Sequence, residues 1–389
     1  MALKVGIYNL RIDGGGGGEK KAVVLAEHLS REHCVWLITG KEPQRGALES
    51  YFGVDLSRVR VFVPRRPILG LAGETVDRMT EAALYPQIRA LGLDTFINCQ
   101  WASLLRCPAP RGLYMCMFPH AMKGARPAGG LSPLGRARRR VSNTLFGMSR
   151  EVLDSYSAVT ANSSFTSGWI GKMWGVPAAV VYSSCENMGP PESKEKIIVN
   201  VGRFGGKGRA DYKHQATMLE VFRAMSDLRA EGWQLHFAGT VLPGSGARKQ
   251  VEELAEAARG VPVVFHFNAS FSELRDLYRR AAIYWHATGF GSSPEIHPEK
   301  QEHFGVTTVE AMSAGAVPVA INTGGQRESV THGANGFLWD DLDSLAEQTR
   351  RLAGDAALRA RLSENAVLSS ARFSRQAFGE RIERLIGEA

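Results

Sequence analysis

No apolar run in this sequence of 389 residues approaches the length of about 18 residues that a membrane-spanning helix needs. The opening stretch from Met1 to Tyr8 is too short and too polar for a signal peptide, and we expect it to form a strand. The five cysteines include no Cys-x-x-Cys pair, which argues against zinc and against a disulfide framework. We therefore expect a cytoplasmic protein with reduced thiols.

Acidic residues are absent between Asp94 and Glu151. This window contains nine basic residues, which exceeds the net charge of +8 of the whole chain. They are Arg106, Arg111, Lys123, Arg126, Arg136, Arg138, Arg139, Arg140 and Arg150. Such a window can attract nucleic acid, an anionic membrane surface or an acidic substrate, or it can be a solvated face. Because no nucleic-acid recognition motif accompanies it, we expect no nucleic-acid partner.

The length of the chain exceeds the size at which a single hydrophobic core stops growing, so two domains are expected. Short apolar runs alternate with helical patterns along both halves, which is typical of parallel sheets covered by helices. The polar stretch from Ser183 to Lys196 is predicted to be the linker between them. Among the predicted helices are Ala137–Tyr156 and His214–Arg229. The fold class is therefore α/β, with two Rossmann-like domains and a cleft at the carboxyl ends of their strands.

The segment from Glu302 to Thr331 carries the most specific pattern of the chain. A glycine precedes a predicted helix, the acid Glu310 lies within that helix, and the buried strand Val317–Ile321 and a Gly-Gly turn follow. A helix N-terminus offers unpaired amides and a favourable dipole to a phosphate. Two carboxylates that flank it can accept hydrogen bonds from ribose or sugar hydroxyls. The segment therefore predicts a nucleotide-sugar pocket.

Simpler explanations exist for each acid alone. Thr307 to Glu310 reads Thr-x-x-Glu, so Glu310 could close a capping box at its own helix start. Glu302 could be a solvated loop acid beside Glu295, Glu299 and Lys300.

The same residues resemble the donor-site signature of the family 4 retaining glycosyltransferases, which have the GT-B fold. The match includes the Glu-x7-Glu spacing from Glu302, the Ala-Met-Ser-Ala-Gly after Glu310 and the later Gly-Gly-Gln-Arg-Glu. The flanking phrases His286–Gly291 and His332–Phe337 match as well. The strong part of the resemblance covers roughly residues 283 to 339, and it is weaker elsewhere.

The resemblance implies a domain division and a set of site residues. The acceptor domain would span residues 1–185 with a returning C-terminal helix at about 373–389, and the donor domain would span residues 196–372. Glu302 would bind sugar hydroxyls, Glu310 would bind ribose hydroxyls, and Arg203 and Lys213 would hold the diphosphate, with Lys207 as the reserve for Lys213. The set also includes the loop glycines Gly17 and Gly18, and His120, which would lie against the donor sugar. It is completed by the backbone amides of Phe304, Gly305, Val306 and Thr307.

The resemblance also implies the reaction. We expect a retaining transfer of a sugar from a UDP- or GDP-linked donor to an acceptor hydroxyl, with no cofactor and no metal. Asp341-Leu342-Asp343 has the form of a metal motif, but its position favours a helix cap. The acceptor is expected to be a lipid-linked saccharide or another glycan precursor, reached from an anionic membrane surface through Lys123–Arg150. The alternatives are a non-catalytic nucleotide-sugar-binding subunit and a transferase that acts on a soluble small acceptor.

Overall fold

A computed structural model describes residues 2–12, 17–65, 74–125, 132–205 and 213–388. The chain forms two compact units. The N-terminal unit comprises Met1–Ser184 together with Arg375–Ala389, and the C-terminal unit comprises Cys185–Ser374. The contacts thus divide the chain between Ser184 and Cys185, inside the segment that the sequence indicates as the linker.

The N-terminal unit contains a parallel sheet of seven strands in the order β3-β2-β1-β4-β5-β6-β7. The strands are β1 Lys4–Tyr8, β2 Cys34–Ile38, β3 Arg60–Phe62, β4 Thr95–Asn98, β5 Arg111–Cys116, β6 Ala158–Ala161 and β7 Ala179–Val180. Its helices are α1 Gly17–Leu29, α2 Arg45–Phe52, α3 Glu74–Arg89, α4 Pro133–Phe146, α5 Arg150–Leu153, α6 Ser164–Trp174 and α15 Arg375–Glu388. The strand order reverses between β1 and β4, which is where open α/β sheets bind ligands.

The C-terminal unit contains a parallel sheet of six strands in the order β10-β9-β8-β11-β12-β13. The strands are β8 Glu195–Val201, β9 Gln234–Gly239, β10 Val263–Phe267, β11 Ala281–His286, β12 Val317–Ile321 and β13 Phe337–Trp339. Its helices are α7 Gln215–Ala224, α8 Ser226–Ala230, α9 Ser245–Ala257, α10 Phe271–Arg280, α11 Val306–Ser313, α12 Gln326–Ser329, α13 Leu342–Gly354 and α14 Ala356–Ser370. Two turns of 3-10 helix lie at Pro298–Lys300 and Ala371–Phe373.

The central strands are predictable because helices cover both of their faces. Every residue of β11 and of β12 is buried, so each strand reads as a continuous apolar run instead of an alternating one. The core of the C-terminal unit packs Trp285 of β11 against Phe222 of α7, with ring centroids 6.5 Å apart. This core fixes the carboxyl ends of β8 and β11, where the polar side chains described below are attached.

The last helix, α15, packs on the first helix of the chain. Phe378, Ile382 and Ile386 are buried in the same apolar cluster as the strands and helix that open the sequence. The His28 Nε2 of α1 lies 2.9 Å from Glu383 Oε1, and Arg375 donates to the backbone carbonyl of Gly53 at 2.8 Å. The chain therefore ends in the unit in which it begins.

The predicted helix Ala137–Tyr156 is wrong as a single element. It is two helices, α4 and α5, because the backbone pairs with another segment at Gly147 and Met148. Met148 donates its N–H to the Ala121 carbonyl at 2.9 Å and accepts from the Lys123 N–H at 2.8 Å. Helical periodicity carries no information on such a contact with a distant part of the chain.

The predicted helix His214–Arg229 is also divided, into α7 and α8, at Met225. Met225 is fully buried and has φ −90° and ψ 62°, which is outside the helical region. The helix α2 was not predicted, and its buried residues are only Leu48 and Phe52.

Gly147→Ala should destabilise the protein, because an added Cβ would lie 2.5 Å from Lys123 N and 2.6 Å from Lys123 Cα. These are backbone atoms of a paired segment and cannot move aside without breaking that pairing. We expect a loss of about 1–3 kcal/mol in the free energy of unfolding, measured by chemical denaturation.

The matched control is Gly168→Ala in the interior of α6, where an added Cβ meets no atom within 4 Å. That change should stabilise the protein by about 0.5–1 kcal/mol, since alanine favours a helix over glycine. Equal stability of the two variants would contradict this account of where α4 ends.

Candidate functional site

Three side chains from separate parts of the C-terminal unit meet near the carboxyl ends of β8 and β11. Lys213 precedes α7, His286 ends β11, and Glu302 lies in the loop before α11. The Lys213 Nζ is 2.8 Å from Glu302 Oε2, and the His286 Nε2 is 3.2 Å from the same oxygen. The side chains are 17%, 3% and 21% exposed for Lys213, His286 and Glu302, so the cluster is shielded but still open to a ligand.

The protonation states of this cluster follow from its contacts. Burial raises the pKa of Glu302, but the Lys213 ammonium and the His286 hydrogen bond outweigh burial and hold that pKa well below its usual range. Burial lowers the pKa of His286, although Glu302 opposes the change. At neutral pH a neutral His286 therefore donates its Nε2–H to an ionised Glu302. The second oxygen of Glu302, Oε1, accepts no hydrogen bond from the part of the chain that the structure describes.

The aliphatic stem of Lys213 crosses the end of β8 at Gly202. A Cβ added to Gly202 would lie 3.0 Å from Lys213 Cγ and 3.3 Å from Lys213 Cδ. Glycine at this position therefore lets the lysine reach Glu302. Arg203, which follows directly, is exposed, and its carbonyl accepts a hydrogen bond of 3.4 Å from Gln215 of α7.

The helix α11 begins beside this cluster. Its N-cap is Gly305, which has φ 98° and ψ 58°, a left-handed conformation that glycine adopts without strain. The first amides of a helix have no intrahelical acceptor, so those of Val306 and Thr307 can receive an anion. The helix dipole adds a partial positive charge at the same end.

The capping-box explanation of Glu310 is wrong. The helix starts at Val306, so Thr307 is inside it and is not the N-cap. The Thr307 hydroxyl instead forms a hydrogen bond of 2.8 Å with the hydroxyl of Tyr284 in β11. Glu310 lies in the second turn of α11 and is only 6% exposed. The two glutamates thus flank the helix start, with Glu302 before it and Glu310 within it.

The Gly-Gly turn packs directly on the backbone that carries Glu302. The Gly325 N–H donates to the Glu302 carbonyl at 2.8 Å. A Cβ on Gly324 would collide with that same carbonyl, and a Cβ on Gly325 would lie 2.5 Å from Phe304 Cα. This close approach fixes the path of the loop and therefore the position of the Glu302 carboxylate.

The predicted residues of the N-terminal unit lie at the carboxyl edge of its sheet. His120 follows β5, its ring centroid is 5.7 Å from that of Trp174, and burial lowers the pKa of His120 to about 3. Both ring nitrogens are buried, and neither has a partner among the described residues. Gly17 and Gly18 open α1, and the Gly18 carbonyl accepts a hydrogen bond of 3.3 Å from Asn9.

The structure thus brings Lys213 and Glu302 together. Arg203 lies in the loop that begins at the end of β8, in the same region. The reserve lysine, Lys207, lies outside the described residues, as do Gly14 to Gly16, the three glycines that precede Gly17 and Gly18 in the sequence. Asp341 is the N-cap of α13 and accepts from Ser344 N at 2.8 Å, so its predicted capping role is confirmed.

His286 was predicted to end a buried strand and to have a structural role beside the site, so its contact with Glu302 was not predicted. The available signal was a histidine at the last position of a buried strand, directly before the glycine turn at Gly289. What the sequence does not show is that Glu302, sixteen residues later, turns back to accept its N–H.

Residues 187–368, which make up most of the C-terminal unit, match the model of the family described as glycosyl transferases group 1. Solved structures match the whole chain in fold. The Anabaena protein HepE in complex with UDP has a TM-score of 0.71 at 17% identity, with all of both chains covered. The sucrose-phosphate synthase of Thermosynechococcus elongatus has a TM-score of 0.72 at 16% identity, covering 99% of this chain and 98% of that one.

Among curated proteins, the chain is similar to the GDP-Man:Man(3)GlcNAc(2)-PP-Dol alpha-1,2-mannosyltransferase of Xenopus laevis. The two are 26% identical over 242 residues, which cover 57% of this chain. The matched part is 46% of the length of that relative.

Two parallel, helix-covered sheets of this topology define the GT-B class of fold, as the sequence resemblance predicted. The match to the glycosyl transferases group 1 model lies within the C-terminal unit and covers less than half of the chain.

Lys213→Met should raise the pKa of Glu302, because burial would remain while the ammonium that opposes it would be removed. The carboxyl carbon of Glu302, followed by NMR during an acid titration, measures this shift directly. A depressed pKa contributes stability above the ordinary glutamate pKa and loses it as the pH falls through the pKa of the folded state. The stability lost in the variant should therefore be largest near neutral pH and should shrink in acid.

The control for this titration is Lys249→Met, which removes an ammonium that is 75% exposed and 3.6 Å from Glu253. It should leave the titration of Glu302 unchanged. An unchanged Glu302 titration in Lys213→Met as well would show that this ion pair does not set the charge of the carboxylate.

Proposed function

We propose that this protein is a retaining glycosyltransferase that moves a sugar from a nucleotide diphospho-sugar to an acceptor hydroxyl. The observation that carries the proposal is the cluster of Lys213, His286 and Glu302 beside the start of α11. It combines a cation and free helix amides for a diphosphate with a carboxylate oxygen that can accept from sugar hydroxyls.

Each group has a distinct task in the proposed site. Arg203, Lys213 and the amides of Phe304 to Thr307 would hold the diphosphate and stabilise the charge that develops as it leaves. Glu302 would accept from hydroxyls of the donor sugar, and His286 would keep that carboxylate ionised and correctly oriented. Glu310 would accept from the ribose hydroxyls.

The retaining outcome requires attack from the face that the diphosphate leaves. The departing phosphate oxygen would accept the proton of the acceptor hydroxyl, so no enzymic nucleophile is needed. This differs from the glycosidase arrangement, in which two carboxyl groups act as acid and nucleophile or base. His120, which is neutral at pH 7, would contact the sugar from the N-terminal unit.

The comparisons support a class of donor and acceptor. The Xenopus laevis relative is named for GDP-mannose and a dolichol-linked saccharide, and the Anabaena structure contains UDP. We therefore propose a GDP- or UDP-linked donor and a lipid-linked saccharide acceptor, or another glycan precursor. We also propose that no metal and no cofactor are needed, because Arg203, Lys213 and the helix N-terminus would together offset the charge of the diphosphate.

Donor hydrolysis separates this proposal from a non-catalytic nucleotide-sugar-binding subunit. Purified protein is incubated with UDP- and GDP-sugars in the presence of EDTA, and released nucleotide is measured. An enzyme releases nucleotide slowly even without an acceptor, whereas a binding subunit retains the intact donor. Activity that requires a divalent cation would refute the metal-independent part of the proposal.

Substitutions of Arg203, Lys213, Glu302 and Glu310 should differ in whether they mainly lower the reaction rate or the affinity for the nucleotide. Arg203→Ala and Lys213→Ala should each cost about 2–4 kcal/mol of transition-state stabilisation, since each removes a fixed positive charge that would stabilise the departing diphosphate. Glu302→Gln should lower kcat more than nucleotide affinity, and Glu310→Gln should mainly weaken nucleotide binding. Steady-state kinetics and calorimetry with the nucleotide measure the two effects.

A matched charge control is Arg259→Ala, which removes an exposed arginine that pairs with Glu256 on α9. It should retain full activity. If both Glu302→Gln and Glu310→Gln also keep full activity with the true donor, the proposed site is wrong.

We further propose that the N-terminal unit contacts an anionic membrane through α4. Leu134, Val141 and Leu145 are 71%, 60% and 61% exposed. Their spacing of seven and four residues, with Arg138 between them, places them along one face of the helix. The residue that turns inward is the buried Asn143, which donates to the Ala125 carbonyl at 2.9 Å.

This arrangement reverses the ordinary pattern, in which a surface helix turns its apolar stripe to the core. An outward apolar stripe with Arg136, Arg138, Arg139 and Arg140, all exposed, fits an interface of apolar chains and anionic headgroups. Within the described parts of the chain, no helix combines the length and the apolar character that crossing a bilayer requires. A soluble acidic acceptor would use the same charges but would not need the exposed apolar side chains.

Vesicle flotation tests this contact. The protein should float with vesicles that contain anionic phospholipid, and less so as salt is added, because exposed charges are screened. Replacing Arg138, Arg139 and Arg140 by Ser should abolish flotation, and replacing Leu134, Val141 and Leu145 by Ser should weaken it.

The control is Leu368→Ser, which removes a leucine that is 68% exposed in the C-terminal unit. It should float like the unmodified protein. Failure of the unmodified protein to bind anionic vesicles at low salt would exclude the membrane contact.

A further inference from the structure

Lys21 is a lysine on the buried side of α1, in the second turn of that helix. Its exposed fraction is 4%, and the five residues that follow, Ala22 to Ala26, are buried and apolar. Leu25, one turn later on the same face, is fully buried. A lysine at such a position is rare, because its ammonium loses hydration when it is buried.

Among the residues that the structure describes, none pairs with the charge of Lys21. Lys21 forms no hydrogen bond and no ion pair with any residue in the described ranges, and its electrostatic neighbours are the thiols of Cys99 and Cys116. Burial raises the pKa of both thiols, that of Cys99 to about 12, so both are neutral at pH 7. Burial likewise lowers the pKa of Lys21 itself. Within those ranges the Lys21 ammonium therefore has no counter-ion.

The position of Lys21 in the fold is that of a ligand-binding edge. Cys99 directly follows β4 and Cys116 ends β5, so the lysine lies at the carboxyl ends of neighbouring strands. The strand order reverses between β1 and β4, which is the point where open sheets of this kind bind ligands. The first turn of α1 begins at Gly17 beside the same edge, and His120 lies on the loop after β5.

A buried ammonium is tolerated when a ligand supplies the opposite charge. We propose that Lys21 binds an oxyanion of the acceptor, a phosphate or a carboxylate, at the carboxyl edge of the N-terminal sheet. The inference rests on the proposed transferase function, because it assigns this edge to the acceptor. It adds that the acceptor carries a negative charge.

Calorimetry with two small probes, methyl phosphate and glucuronate, tests the inference. The protein is first saturated with UDP and GDP. Binding of a probe at the proposed diphosphate site of the C-terminal unit then cannot be mistaken for binding at Lys21. The unmodified protein should bind at least one probe, and the probe that binds identifies phosphate or carboxylate. Lys21→Met and Lys21→Gln should weaken that binding at least about tenfold, as expected when a charged hydrogen-bonding group is lost. Lys20→Met, the same change at the preceding residue of the helix, should alter it less than about twofold.

Thermal unfolding in buffer without such anions distinguishes a binding lysine from a structural one. Lys21→Met should raise the Tm, because it removes an uncompensated buried charge. A lowered Tm together with unchanged probe affinity would overturn the inference, and so would a lack of binding of either probe to the unmodified protein. Donor hydrolysis by the unmodified protein is measured separately. Hydrolysis with no loss of probe binding in Lys21→Met refutes only the role of Lys21, whereas probe binding without hydrolysis refutes only the transferase function.

Discussion

The cluster of Lys213, His286 and Glu302 depends on one backbone contact, in which Gly324 and Gly325 lie against the segment from Glu302 to Phe304. Any Cβ at either glycine would overlap the carbonyls or the Cα of that segment. Because the contact involves main-chain atoms, it sets the position of Glu302 before any side chain pairs with it. Lys213 and His286 then act on a carboxylate whose location is already fixed, which is the preorganisation that electrostatic stabilisation of a transition state requires.

The two units place charge at their sheet edges in opposite ways. In the C-terminal unit the Lys213 ammonium is paired with Glu302, whose other oxygen accepts no hydrogen bond from the described residues. In the N-terminal unit Lys21 is buried without a counter-ion among the residues described there. The ionised Glu302 carboxylate is suited to hydroxyl groups of a ligand, whereas the buried Lys21 ammonium is suited to a ligand group that carries a negative charge.

Much of the fold follows from the sequence, since the central strands are continuous apolar runs. In the segment from Glu302 to Thr331 the order of helix, strand and turn can be predicted from the residues. The sequence pattern identified Lys213 and Glu302 separately, but it could not show that they form an ion pair. The break of α4 at Gly147 was not predictable, because it results from pairing with Ala121 and Lys123. The same limit applies to Lys21 and His286, whose surroundings are contributed by residues far away in the chain.

The return of α15 to the first unit means that the N-terminal unit is not a continuous segment of the gene product. A fragment ending at Ser184 would lack Phe378, Ile382 and Ile386 and would leave the apolar surface of α1 uncovered. The C-terminal unit, Cys185–Ser374, is continuous and can be excised as one piece. A separately produced N-terminal unit would need α15 joined to it through a linker or a circular permutation, because the helix completes its core.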